Sequence, residues 1–163
     1  MKIQLVFIFV SLVGLTKLYA EEGITAKVIR VIDGNTIEIV SAGNEKQRVV
    51  FADIDCPELG QAFGAEAKLY VEKLILQKKV MVQFKGKDRF GNYLAVVMVG
   101  DDDLRVQLLK EGLAWTSEKK PADDLEPYRS WAQQKSRGLW KQANPTPPWA
   151  YRRQQSMSMP KSQ

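Results

Sequence analysis

The sequence contains no histidine and a single cysteine, Cys56. Without an imidazole, histidine-based acid–base catalysis, zinc sites that use histidine and nucleophilic triads with an imidazole base are all excluded. Any chemistry must therefore run on carboxylates, a metal ion or the thiol. A lone cysteine forms no internal disulfide, so the fold must stand on its apolar core even in an oxidising compartment. The thiol reads as a small buried group, with a bridge between chains as the other reading. No apolar run reaches the roughly 20 residues of a membrane-spanning helix, and no period typical of stacked repeats occurs. Charge of one sign is scarce too: 24 basic residues against 19 acidic ones leave +5. That balance permits a polyanionic partner without demanding one.

What is present begins with an address. Lys2 is followed by an apolar run over residues 3–15, and Ala20 precedes the acidic pair Glu21 and Glu22. A charged start, an apolar middle and a small residue at the cut form a secretory signal peptide over residues 1–20. The expectation is an exported protein, periplasmic or secreted, with no stable membrane span once the signal is cleaved. Cleavage would remove Lys2 and Lys17 and leave 22 basic residues against 19 acidic ones, or +3. The remaining length suits one domain, expected over residues 21–153. Residues 154–163, a Ser, Met, Gln and Lys tail, are expected to be disordered because they offer little to bury.

Along the domain, residues 26–32 and 36–40 are β-branched runs separated by Asp33-Gly34-Asn35, which is hairpin punctuation. A second turn at Ala42-Gly43-Asn44 leads into a strand expected over residues 47–54, ending before Pro57. Residues 62–76 carry Ala62, Ala65, Leu69, Val71, Leu74, Ile75 and Leu76 among Glu and Lys, a helical pattern. Residues 79–84 and 93–99 give two further strands across a polar loop. Residues 104–111 and 125–136, closed by Gly112 and Gly138, give two more helices. Trp115, Trp131 and Trp140 read as core, and Trp149 with Tyr151, Arg152 and Arg153 as a candidate surface for a partner. Five strands and three helices in this order predict a five-stranded OB-fold barrel, mainly β plus α.

Six motifs then coincide in order and spacing: Val31-Ile32-Asp33-Gly34-Asn35-Thr36, Ile54-Asp55-Cys56-Pro57-Glu58, Gln61-Ala62-Phe63-Gly64-Ala65-Glu66-Ala67, Asp88-Arg89-Phe90-Gly91-Asn92, Glu111-Gly112-Leu113-Ala114-Trp115 and Arg137-Gly138-Leu139-Trp140. Together they resemble the staphylococcal nuclease (thermonuclease) family over residues 25–153. The resemblance implies calcium-dependent hydrolysis of DNA or RNA phosphodiesters. In such a site two aspartates and a backbone carbonyl hold the ion, a glutamate handles the attacking water and two arginines clamp the phosphate. Hard Ca²⁺ prefers oxygen ligands, and guanidinium groups stabilise charge growing on phosphoryl oxygens.

Carried over position by position, the resemblance implies Asp55 and the Cys56 backbone as metal positions and Glu58 as the water-handling acid. The first metal aspartate is replaced by Asn35, which keeps an oxygen but loses a charge, so calcium binding is expected to be weak. Asn35 reads equally as a turn residue tolerant of positive φ. The two arginine positions are Val50 and Asn92, and neither carries a cation. Arg48, Lys87 and Arg89 are the neighbours that could contact phosphate instead. Asp53 adds either a third carboxylate on the face of Asp55 or an outward surface acid. These substitutions predict a catalytically weak or inactive module binding DNA, RNA or another protein, and a monomer is expected. The alternatives are a calcium-dependent endonuclease and a protein-interaction barrel that meets no nucleic acid.

Overall fold

The computed structural model describes residues 23–158. The strands β1 (Ile24–Val31), β2 (Thr36–Val40) and β3 (Lys46–Phe51) form an antiparallel meander, with Val31 opposite Ile37 and Thr36 opposite Val50. A short β4 (Ile54–Asp55) follows, then helix α1 (Gly64–Ile75), β5 (Lys79–Lys87) and β6 (Tyr93–Val99). β5 pairs antiparallel with both β1 and β6, and β6 closes the barrel by pairing parallel with β3, Val50 opposite Leu94. The two-residue β7 (Asp102–Asp103) extends β6 and leads into α2 (Leu104–Lys110). β8 (Trp115–Thr116), α3 (Glu126–Gln134), a 3-10 turn at Gly138–Lys141 and α4 (Pro148–Ser158) complete the chain. The architecture is the expected closed five-strand barrel with helices.

Alternation fills the barrel. Val28, Ile37, Ile39, Val49, Val82, Ala95 and Val97 are fully buried, as period-two strands around one core require. α1 seals one side with Gly64, Ala67, Val71 and Ile75, whose spacing places them on a single face. That stripe differs from the expected one: Leu69 belongs to the outer face and is 62% exposed. Glu111 and Arg137, from two of the recurring motifs, form an ion pair, while the N–H of Leu139 donates to the carbonyl of Gly112 at 2.9 Å. These two motifs thus join the end of α2 to the end of α3.

Other expectations require correction. The strand expected over residues 47–54 breaks after Phe51, because Asp53 adopts a left-handed φ of 63° and turns the chain before β4. Trp131 is 43% exposed rather than core, since α3 buries little beyond Ala132. A fourth helix, α4, replaces the tail expected to be disordered from residue 154, as far as Ser158. Its first turn is closed by the N–H groups of Ala150 and Tyr151 donating to the Pro147 carbonyl, both at 3.0 Å. The predicted signal peptide, residues 1–20, and residues 159–163 lie outside the described residues.

Candidate functional site

An open groove of about 820 Å³ runs across the barrel beside the β1–β2 turn, and its lining includes Asn35, Val50, Asp55, Arg89, Trp149 and Arg152. The turn is drawn against the chain carrying Asp55 by Gly34. A Cβ on that residue would come within 2.7 Å of Cys56 Cβ and 2.8 Å of Ala67 Cβ, so only hydrogen fits. Asn35 is not at positive φ, which removes the expected reason for asparagine in the turn. Its N–H instead donates to Asp33 Oδ1 at 2.9 Å, and its carbonyl accepts from Phe51 N–H at 2.8 Å. The turn is thereby fixed to the end of β3.

Asp55 lies in β4, opposite Trp115 of β8. Glu58 follows in a tight loop, its N–H donating to Gln61 Oε1 at 2.8 Å and its carbonyl accepting from Gln61 N–H at 2.8 Å. Both carboxylates meet the same guanidinium. Arg152 Nη2 donates to Asp55 Oδ2 at 2.6 Å, and Nη1 donates to Asp55 Oδ1 at 3.1 Å and to Glu58 Oε1 at 2.6 Å. Burial pushes the Asp55 carboxyl above its ordinary range; the hydrogen bonds and charge of Arg152 pull the other way, while Glu58 and Asp33 add to the rise. Arg152 is held more firmly charged than usual, chiefly by its hydrogen bond to Asp55. Cys56 is buried, and that burial, with Asp55 next to it, pushes its thiol well up, which disfavours the thiolate.

The two positions where the resemblance expects arginine are settled differently. Val50 is a half-buried wall of the groove. Asn92 closes its own loop: its N–H and Nδ2 donate to the two oxygens of Asp88 at 2.9 and 2.8 Å. Asp88 also accepts from Phe90 N–H at 2.8 Å, and the Asn92 side chain is the leading reason its carboxyl is held below the usual value.

Of the three neighbours considered for phosphate, only Arg89 shares the groove with Asp55. Its guanidinium lies 4.6 Å from the centre of the Phe90 ring. Arg48 opens instead into a separate depression beside Asn92 and Tyr93. Lys87 sits 4.4 Å from the centre of the Tyr93 ring, at the far end of β5. Asp53 is exposed and lines the same groove as Asp55, and Arg105 Nη1 donates to its Oδ2 at 2.8 Å. The added carboxylate is therefore an outward acid whose charge the buried Arg105 offsets.

The residues of the expected partner surface also make contacts within the chain, while Arg152 and Arg153 stay exposed. Trp149 packs edge-on to Trp115, 5.7 Å between ring centres, and Trp115 does the same with Trp140 at 4.4 Å. The Tyr151 hydroxyl lies over Gly60, where a Cβ would come within 2.7 Å of it. Arg153 Nη1 pairs with Glu118 at 3.0 Å. Sequence reasoning missed Lys85, Lys119 and Lys120, which also line the groove. The adjacent Lys119-Lys120 pair, one of several doublets in the sequence, was the available signal.

The groove's four carboxylates, Asp53, Asp55, Asp88 and Glu118, all have partners from the chain itself: Arg105, Arg152, Asn92 and Arg153. Five cationic side chains share the lining with them: Lys85, Arg89, Lys119, Lys120 and Arg152. Calcium takes six to eight oxygen ligands. Among the described residues no group of three or more His, Cys, Asp or Glu is placed to hold a metal ion. Both oxygens of Asp55 already accept from a guanidinium. The residues present do not fit calcium as arranged.

The family described as staphylococcal nuclease homologue matches residues 48–142. An uncharacterised endonuclease of Haemophilus influenzae is 36% identical over 136 residues, covering 83% of this chain and 76% of its own. A micrococcal nuclease of Shigella flexneri is 35% identical over 139 residues, covering 78% of this chain and 79% of its own. An uncharacterised endonuclease of Escherichia coli O157:H7 is 34% identical over 131 residues, covering 79% and 85%. With the barrel, the ordered motifs and these likenesses in agreement, the chain belongs to the staphylococcal nuclease family.

Proposed function

We propose that this protein is an exported, nuclease-fold module that binds a single strand of nucleic acid in the groove and cuts it weakly or not at all. The observation that carries the reading is the absence of a guanidinium at Val50 and Asn92, where one forms an apolar wall and the other seals a loop. Losing one donor to a developing oxyanion costs ~10²- to 10³-fold in rate, and two such losses compound. Binding survives that loss because the cationic rim and the exposed Phe90 ring offer phosphate contacts and a stacking face. The export reading rests on Lys2, the apolar run after it and Ala20, and the mass of the mature chain from the producing cell tests it.

The alternative is calcium-dependent hydrolysis of DNA or RNA. It is favoured by the names of the relatives, endonuclease and micrococcal nuclease, and by the carboxylates Asp55 and Glu58 lying together. Plasmid and RNA degradation with calcium or with chelator separates the two readings. Chelator-sensitive cleavage at the rate of an active family nuclease would defeat the binding reading. Asn35→Asp, Val50→Arg and Asn92→Arg made together should raise calcium-dependent cleavage, and no gain in a folded triple variant would count against the residue assignment.

A further inference from the structure

We infer that Arg152 is a built-in cation: its guanidinium takes the place between Asp55 and Glu58 that a divalent ion would need, so the groove receives a phosphodiester strand without metal. The second half of this inference rests on the nucleic-acid reading above; the first half does not.

Arg152 is delivered by a braced helix. On either side of it in α4, Trp149 packs on Trp115, Tyr151 lies over Gly60 and Arg153 pairs with Glu118. Trp115 is the strand partner of Asp55. The helix is thus anchored on the very two-stranded sheet that carries the acid, through residues that flank Arg152 in sequence. The contact itself is forked: two nitrogens reach both oxygens of Asp55, and one of them also reaches Glu58. Planar, bidentate pairing of this kind fixes orientation as well as charge, which a lysine does not reproduce.

Two consequences follow from that geometry. A guanidinium seated on both acids repels a divalent ion and fills the approach between them, so a metal must displace it to bind. The guanidinium also keeps donors to spare, because a fork of five N–H groups spends only part of its set on two carboxylates. Arg152 is 49% exposed in its side chain and lines the groove. Its remaining donors can therefore meet a phosphate, while its charge offsets two acids that would repel one.

Terbium luminescence sensitised by tryptophan tests the first half, since Trp149 lies in the same groove. Removing Arg152 (Arg152→Ala) should tighten terbium binding by about tenfold to a hundredfold over the unaltered chain, and Arg152→Lys should fall between. Equal terbium affinity in Arg152→Ala and the unaltered chain would overturn the inference. Thermal melting checks that the variant folds; if it does not, Arg152→Gln, which keeps the stem against the helix, takes its place.

Fluorescence anisotropy with a labelled single-stranded oligonucleotide tests the second half. Binding by the unaltered chain should be the same in chelator and in millimolar calcium. Arg152→Ala should bind about tenfold more weakly in chelator and recover when calcium is added. Binding by the unaltered chain that requires calcium would overturn the second half. An oligonucleotide that binds neither protein would remove the nucleic-acid reading and the second half with it, leaving the terbium comparison to decide the role of Arg152.

Discussion

Asp55 on the floor of the groove and Glu58 beside it meet a guanidinium delivered by their own chain, whereas on the rim Arg89 lies over Phe90 and Lys119 and Lys120 are exposed. The floor is built by close approach. Gly34 admits no Cβ beside Cys56 and Ala67, and a Cβ on Gly64 would fall on the Glu58 carbonyl. The rim is built from local turns, with Asp88 gathering the N–H groups of Phe90 and Asn92. On the proposed reading, this contrast separates attraction from catalysis: the rim keeps cationic charge that would draw a strand in from a distance, while Val50 and Asn92 supply no guanidinium to grip a reacting phosphate.

The largest effect should come from the floor. Gly64→Ala forces a methyl group onto backbone that cannot swing aside, and it should cost about 3 kcal/mol or more by chemical denaturation. Gly91→Ala, in the rim loop at φ 84° with open space around the added atom, should cost only about 1–2 kcal/mol of backbone strain. Equal losses in the two variants would break the contrast between a packed floor and a loose rim.

Next in size, replacing Lys119 and Lys120 by Ala should weaken oligonucleotide binding by about tenfold. The salt dependence should flatten by about 0.7 in log–log slope for each phosphate that the variant no longer neutralises. An unchanged slope would place the strand elsewhere.

The smallest effect concerns pH. Asp88 has a lowered carboxyl because Asn92 and its backbone neighbours favour the ionised form, so its contribution is present above the ordinary carboxylate value and disappears as pH falls through the lowered one. Asn92→Ala should therefore melt lower than the unaltered chain near neutrality, with the gap closing in strong acid. A gap that stays constant with pH would mean that Asn92 does not act through Asp88.

The barrel was legible because β-branched runs alternate around one core and their turns carry Gly and Asn. The two-residue strands β4, β7 and β8 were not, since nothing so short shows a period. The break after Phe51 hid in an apolar run whose only irregularity is the backbone of Asp53. Within the site, the motifs pointed to Asp55 and Glu58, which the fold brings together, but the residue that joins them reads from sequence as a surface group. α4 is hidden because Pro145, Pro147 and Pro148 read as breakers. Proline at the first position of a helix is in fact a start signal, and the Ala, Arg and Gln that follow Pro148 are good helix formers. Taking Pro148 as a start places Arg152 on a helix from the sequence alone.

The pairing of Asp55 with Trp115 ties a residue of the first half of the chain to one of the second. A truncated chain ending just before Trp115 still carries every strand of the barrel, yet it lacks both the stretch that backs Asp55 and the helix that rests on it. Assembly of the groove therefore requires long-range closure, with more loop entropy to overcome than the local hairpins meet. Even a shortened chain that kept the barrel would have no finished place for a ligand.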